Sequence, residues 1–471
     1  MSAQVSKEEK KGLNISTKSF LTAIVVIFVL MILTLVLTYI VPGGEYARVE
    51  DEMGNLIIDT NQGFTNVEGG IPFWKWILSP FLVLGAEGNV SLIAVLIFLL
   101  VIGGVFSSLD HCGLMKYLLD RITWKFGERK YLLLAMVSLF FMAMGSFIGS
   151  FEECIPLVPI VVALAIRLGW DVLTGLGMSL LSIGCGFAAG ICNPFTVGVA
   201  QELAGLPMFS GMWFRAVAFV LIYSLLLSFL FRHAKKVEKK DADGPTATAF
   251  KKTPEMDKGL MWFVGLLCLL IVLIISTIFL TFLQDYTMIL VAFIFLLAGL
   301  IAPSVAGMKG KDLGRTFWQG VVGVAPAILM ILMANSIKYI LVEAKILDTL
   351  LHGAVNVAGE LPGSVIILFI YLIVLVMNFF IPSGSAKAFL LMPLIIPMAQ
   401  IFGLSPQLCI VAFAFGDGFS NVIYPTNPVL LIGLGIADVS YTRWARFSIL
   451  FQICNLILTA GLLLLGFAIG Y

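Results

Sequence analysis

Long apolar runs separated by short polar segments cover most of the chain, and several are interrupted by small polar residues or proline where they should lie deepest. Crossing the hydrocarbon takes about 20 apolar residues in a helix. Stretches 20–41, 90–109, 172–191, 213–231, 259–283, 287–302, 321–341 and 444–465 therefore read as transmembrane helices. Segments 131–168 and 364–401 fold back before two crossings fit, so they read as re-entrant hairpins. Their turns are Gly145-Ser146-Phe147-Ile148-Gly149-Ser150-Phe151-Glu152-Glu153, ahead of Pro156 and Pro159, and Ile381-Pro382-Ser383-Gly384-Ser385-Ala386-Lys387. An apolar helix broken at an Asn-Pro follows each hairpin. Run 172–191 ends at Cys192-Asn193-Pro194-Phe195-Thr196, and run 407–423 ends at Tyr424-Pro425-Thr426-Asn427-Pro428. Hydrocarbon tolerates interrupted backbone only where it is buried in protein or lines a cavity, so paired interruptions mark a solute-binding centre. The pattern is that of a secondary transporter.

The order of elements repeats. Phe147 matches Phe380, Gly186-Phe187 matches Gly418-Phe419, and Trp213-x-Arg215 matches Trp444-x-Arg446 at a nearly constant offset, while Phe317-Trp318 echoes Phe73-Trp74. Charged loops set the sense of each half, since positive residues stay on the cytoplasmic side. Lys7, Lys10, Lys11 and Lys18 precede the first run, and the segment after it carries Glu45, Glu50, Asp51, Glu52, Asp59 and Glu68. Basic segments at 116–130, 232–240 and 309–315 mark later returns, and Trp74 with Trp76 suggests a short interfacial helix. Arg215, on the outer side in this scheme, reads as a snorkelling side chain. The expected fold is an all-α polytopic membrane protein: an inverted repeat with two re-entrant hairpins and two broken transmembrane helices. Its parts are an N-terminal helix and extracytoplasmic loop (1–86), a first repeat (87–232), a linker with a connecting helix pair (233–316) and a second repeat (317–471). The linker proper is 233–258.

Composition agrees. Of 471 residues 60% are hydrophobic and 12% charged, with a mean hydropathy of +1.04, against about 25% charged in soluble proteins. The apolar run at 20–41 is too long for a signal-peptide core and reads as an uncleaved first helix. Seven cysteines at no ligand spacing read as packing residues, and His111, His233 and His352 as interfacial polar groups. No nucleophile and base grouping, metal set or phosphate loop is seen, which weighs against an enzyme and against direct ATP coupling. A channel would want a continuous polar pore instead of two closed turns. Expected partners are a small-molecule substrate and the lipid bilayer, without nucleic acid; expected cofactors are none, apart from Na+ or H+ as the coupling ion.

The chemistry gathers at the breaks. Glu152 and Glu153 lie at the first turn, where a charge at membrane depth costs about 2.5 to 3.5 kcal/mol and marks function by default. They could bind a substrate ammonium, bind a coupling cation or carry a proton; the alternative is that they cap the following arm. Ser150 precedes them. Ser383, Gly384 and Ser385 could offer hydroxyls and amides to a substrate carboxylate, or form a plain N-cap. Lys387 could pair with Glu152, Glu153 or Asp417, or with a second substrate carboxylate. Asp417 and Asn421 sit inside an apolar span and suit a coupling cation together with Glu153 and Thr426, whereas Gly184-Cys185-Gly186-Phe187-Ala188-Ala189 in the first half lacks both groups. Asn193, Thr196, Thr426 and Asn427 add uncharged groups, or serve only the turns. A cation end and a carboxylate end together would suit a zwitterion.

At Gly149-Ser150-Phe151-Glu152-Glu153 with Pro156-x-x-Pro159, at Asn193-Pro194-Phe195-Thr196-x-Gly198 and at Ile381-Pro382-Ser383-Gly384-Ser385, the chain resembles the YfcC group of the C4-dicarboxylate anaerobic carrier family, within the ion-transporter superfamily. The resemblance covers nearly the whole chain. It implies two hairpins, two broken helices, a homodimer, and coupling to an ion gradient or a counter-substrate; the expected location is a bacterial inner membrane, with the N-terminus cytoplasmic as the charged loops direct. The group is similar both to dicarboxylate carriers and to arginine/ornithine or basic amino acid antiporters. Lys387 stands where the group's pattern has a Gly or another small residue, which weighs against a cationic substrate.

Overall fold

The computed structural model describes residues 17–50, 56–58, 63–86, 90–149, 151–207, 210–238, 252–276, 287–358 and 362–471. Helices dominate, and among the described residues seven are long and apolar enough to cross a membrane, or eight if one bent pair counts as a single span. The chain is a multi-pass membrane protein. Large apolar side chains at high exposure, such as Leu33, Val220, Val272 and Ile457, cover helix faces turned outward; on a soluble protein so much exposed apolar surface would be a liability, and in a bilayer it meets lipid.

Each expected break is present at the place its residues dictate. The helix Lys130–Ala143 passes into a wider turn at Met144–Ile148 and stops at Gly149, whose φ of +77° is open to glycine at little cost. The chain restarts as a tight turn over Glu152–Leu157 and then as Val158–Arg167. Ser182–Ala189 ends at Gly190 and resumes at Pro194–Gly198; Pro406–Gly418 and Phe419–Val422 end before Pro428–Ile436. Proline at the first position of the restarts at Pro194 and Pro428 donates no hydrogen bond where none is needed. The two broken helices touch backbone to backbone: a Cβ on Gly418 would overlap Ala188 and come within 2.6 Å of the Phe187 carbonyl carbon. Small residues let membrane helices approach in this way.

The two halves exchange short helices. Phe73–Leu82 packs on Pro326–Glu343, and Gly310–Val324 packs on Val90–His111 with Gly320 against Gly103. Phe73–Leu82 is the short helix expected around the tryptophans, with Trp74 outward and Trp76 buried, its indole donating to the Met31 carbonyl at 3.0 Å.

Two expectations need correction, and one feature is new. The span placed at 321–341 is two helices, Gly310–Val324 and a second running to Glu343, bent by 40° where Pro326 removes a backbone donor. The linker placed at 233–258 is shorter, because Met212–Val237 carries the helix through His233, whose Nε2 lies 3.2 Å from Asp171, and Pro254–Ser276 begins at the far end; residues 239–251 lie outside the described set. The acidic loop contains two short antiparallel pairs, Gly44–Tyr46 with Phe64–Asn66 and Arg48–Glu50 with Leu56–Ile58. Asp348 anchors that loop to the second half, accepting from Arg48 at 2.9 Å and from the Tyr46 amide at 3.0 Å, while His352 stacks on Phe64 at 4.1 Å.

Candidate functional site

The turns at Gly149 and at Gly384 close on the same broken helix. Gly149 lies so near Asn193 that a Cβ on it would overlap the amide oxygen and sit 2.7 Å from Cγ. Gly384, which opens the helix Gly384–Ile401, presses on the methyl of Thr196, and its Cβ position is 3.1 Å from Asp417 Oδ2. Glu152, beside the first turn, lies within electrostatic reach of Asp417. Residues from both turns and both breaks thus meet in one centre.

Side chains satisfy the backbone freed at the breaks, as burial requires. Asn193 Oδ1 accepts from the Phe195 and Thr196 amides at 2.9 and 3.2 Å, and Asn427 Oδ1 accepts from Val429 and Leu430 at the same two distances. Ser146 takes the Ile191 amide on its hydroxyl at 3.0 Å and the Cys192 amide on its carbonyl at 3.1 Å. Arg215 donates to the Ile191 carbonyl at 3.1 Å and to the Ser210 carbonyl at 3.0 Å. In the second half the matching carbonyls are held otherwise: Trp444 Nε1 donates to Val422 at 2.7 Å and the Tyr441 hydroxyl to Ile423 at 2.8 Å. Arg215, expected to snorkel, is fully buried as one of these holders, while Arg446 is exposed.

A polar network occupies the second half. Lys387, with no exposed surface, donates to Asp417 Oδ1 at 2.6 Å, to the Ile381 carbonyl at 3.2 Å and to Asn378 Oδ1. An ammonium has three protons, and all three are engaged. The Asn378 amide nitrogen reaches Ser420 Oγ at 2.7 Å and Asn421 Oδ1 at 2.9 Å; Asn421 Oδ1 also accepts from Asn427 at 3.0 Å. Asn421 donates in turn to the Asp417 carbonyl at 2.8 Å.

This geometry sorts the expected residues. Asn193 and Asn427 cap the restarts through Oδ1. Asn421 offers its oxygen to two amides and has little left for a cation; Lys387 holds Asp417 and leaves no proton for a second substrate carboxylate. Open capacity stays with the others. Glu153 Oε2, Thr196 Oγ1 and Thr426 Oγ1 are buried atoms without a hydrogen-bond partner, an uncommon state that a bound ligand would relieve. Glu152 is half-buried, Ser385 is half-buried in the first turn of its helix, and Ser383 is exposed, its hydroxyl 3.4 Å from the Ala386 amide. Ser150 lies outside the described residues. Asn378, Ser146 and Arg215 were not singled out as site residues by sequence reasoning, although a lone amide in Met377-Asn378-Phe379 and a lone arginine in an apolar helix were signals available to it.

Comparison with known proteins adds the family. YfcC of Escherichia coli (strain K12), provisionally named a basic amino acid antiporter, is 29% identical over 375 residues, covering 75% of this chain and 73% of that one. An uncharacterized protein of Haemophilus influenzae is 23% identical over 507 aligned positions, covering 95% and 97%. Among solved structures, the YdaH transporter of Alcanivorax borkumensis covers 96% of this chain at 17% identity and a TM-score of 0.45, and MtrF of Neisseria gonorrhoeae, described within a class of antimetabolite efflux pumps, covers 94% at 18% and 0.42. The sequence pattern of DcuC, the C4-dicarboxylate anaerobic carriers, matches residues 20–468, and the chain belongs to that family of membrane carriers.

Proposed function

We propose that the protein is a secondary transporter or antiporter of small carboxylate-bearing solutes, with amino acids as the substrate class, coupled to an ion gradient or a counter-substrate. In this reading the two halves lie in opposite senses across a bacterial inner membrane, the N-terminus is cytoplasmic, and the working unit is a homodimer. The observation that carries it is the set of unpartnered buried atoms: Glu153 Oε2 beside the first turn, Thr196 Oγ1 at the break on which both turns close, and Thr426 Oγ1 at the second break. Glu152 and Glu153 take the substrate ammonium or a coupling proton or sodium ion, and the hydroxyls with the first turn at Ser383 and Ser385 take the carboxylate. The name of the family favours a C4-dicarboxylate instead. Lys387 argues against it, because the cation expected to meet the second carboxylate already holds Asp417, Asn378 and Ile381. Counterflow in proteoliposomes with matched panels of amino acids and dicarboxylates, with and without sodium and proton gradients, tests the assignment. Exchange of amino acids is the expected result; exchange confined to succinate, fumarate or malate would overturn it.

A further inference from the structure

The three acceptors around Lys387 Nζ are all oxygens of different origin: a carboxylate oxygen of Asp417 at 2.6 Å, the carbonyl of Ile381 at 3.2 Å and the amide oxygen of Asn378. Hard cations take such sets, carboxylate, amide and backbone oxygen together. The set stands between a hairpin turn, which supplies Ile381, and a broken helix, which supplies Asp417, with no exposure to solvent at Lys387. The first half is built differently. At the offset that matches the repeats, Asp417, Lys387 and Asn378 correspond to Cys185, Cys154 and Gly145. The oxygen cage and the ammonium that fills it are therefore absent together.

We propose that this cage is a monovalent-cation pocket whose occupant is the chain's own ammonium, so that Lys387 acts as a tethered cation and frees the second half from any need for sodium. The assignment rests on the transporter reading only in calling the pocket a coupling site. A structural salt bridge alone would differ in one respect: it would show no affinity for a free cation once the lysine is removed. The cage keeps its oxygens when the side chain is shortened, and the space left by the butylammonium opens onto them. Sodium should enter, and neither choline nor an apolar filler should substitute.

The experiment is thermal melting of the purified full-length protein at pH 8 in sodium, potassium or choline chloride. Relative to choline, sodium should raise the melting temperature of Lys387→Ala by ~3 °C or more beyond any rise in the wild type, the size expected when a ligand well above its dissociation constant binds only the folded state. Lys387→Met, which fills the space without charge, and the double variant Lys387→Ala with Asp417→Asn should lack that excess. A sodium-over-choline shift in Lys387→Ala no larger than that in the wild type overturns the proposal. Should Lys387→Ala not fold, Lys387→Ser is prepared in sodium, where its hydroxyl adds a fourth oxygen; failure of both in sodium also overturns it. No transport is required for the readout, so a sodium effect in a chain that exchanges no solute would keep this pocket and remove the transporter reading.

Discussion

Gly149 rests directly on the side-chain amide of Asn193, so the turn at Gly149 and the helix break at Asn193 fit only in the absence of a Cβ. Gly149→Ala would force an L side chain into positive φ, at about 1 to 2 kcal/mol, and drive it into Asn193. The expected result is a lower melting temperature together with loss of exchange in proteoliposomes. Wild-type behaviour in both would show that the turn does not seat there.

Glu153→Gln keeps the shape of the side chain and removes its charge and its capacity to carry a proton. Because Oε2 has no partner to lose, folded protein should be recovered in near-normal amount while exchange of every substrate is abolished. Uptake at the wild-type rate would reduce the acidic pair to a cap of the following arm.

Arg215 and Arg446 occupy matching places in the two halves and should respond oppositely. Arg215→Met leaves the buried Ile191 carbonyl without its donor, at about 1 to 3 kcal/mol, while the Ser210 carbonyl keeps the Gln201 amide at 2.9 Å. Arg446 is exposed, and Arg446→Met should fall within about 0.5 kcal/mol of wild type. Melting curves of the two variants decide the matter, and similar shifts would contradict the buried role.

Asp171 gives a pH dependence outside the spans. Burial acts to raise its carboxyl, but bonds from His233, the Thr174 hydroxyl and the Thr174 amide outweigh that and hold it below the ordinary carboxylate range. A depressed folded value means that its stabilisation is complete above the ordinary value of about 3.9 and is lost as pH falls through the lower folded one. Between pH 5 and pH 3 the melting temperature of Asp171→Ala should therefore change less than that of the wild type. Parallel curves would remove the residue from the acid response.

The sense of the halves can be read by labelling. After replacement of the native cysteines, a cysteine at Thr65 should react with an impermeant reagent from outside and one at Lys311 only from inside. Labelling of both from one face would sink the proposed orientation.

How much of this was legible in the sequence follows from how local each signal is. Gly149, Pro194 and Pro428 announce breaks through their own backbone chemistry, and the structure breaks where they stand. Asn193 and Asn427 announced polar groups at depth, yet whether an amide caps a turn or meets a ligand depends on which donors come near. Lys387 is the clearest case. Its three acceptors lie on the helix Gly363–Phe380, on the turn that follows it and on the helix Pro406–Gly418, and only the fold joins them. The strand pairs of the acidic loop were missed for the same reason, since each strand has three residues and too little pattern to show alternation.

The Arg215 contact also bears on how the chain enters the bilayer during synthesis. A lone arginine in a nascent membrane helix resists insertion, by about 2.5 to 3.5 kcal/mol at the helix centre and by less in the first turn, where Arg215 stands. Ile191, however, leaves the ribosome before Arg215, so the acceptor carbonyl is waiting when the donor arrives. Trp444 and Val422 follow the same order, but an indole needs no such help. Removing 172–191 from a truncated nascent chain should therefore depress insertion of Met212–Val237 far more than removing 407–423 depresses insertion of Tyr441–Ala468, a difference that glycosylation reporters placed beyond each helix would register.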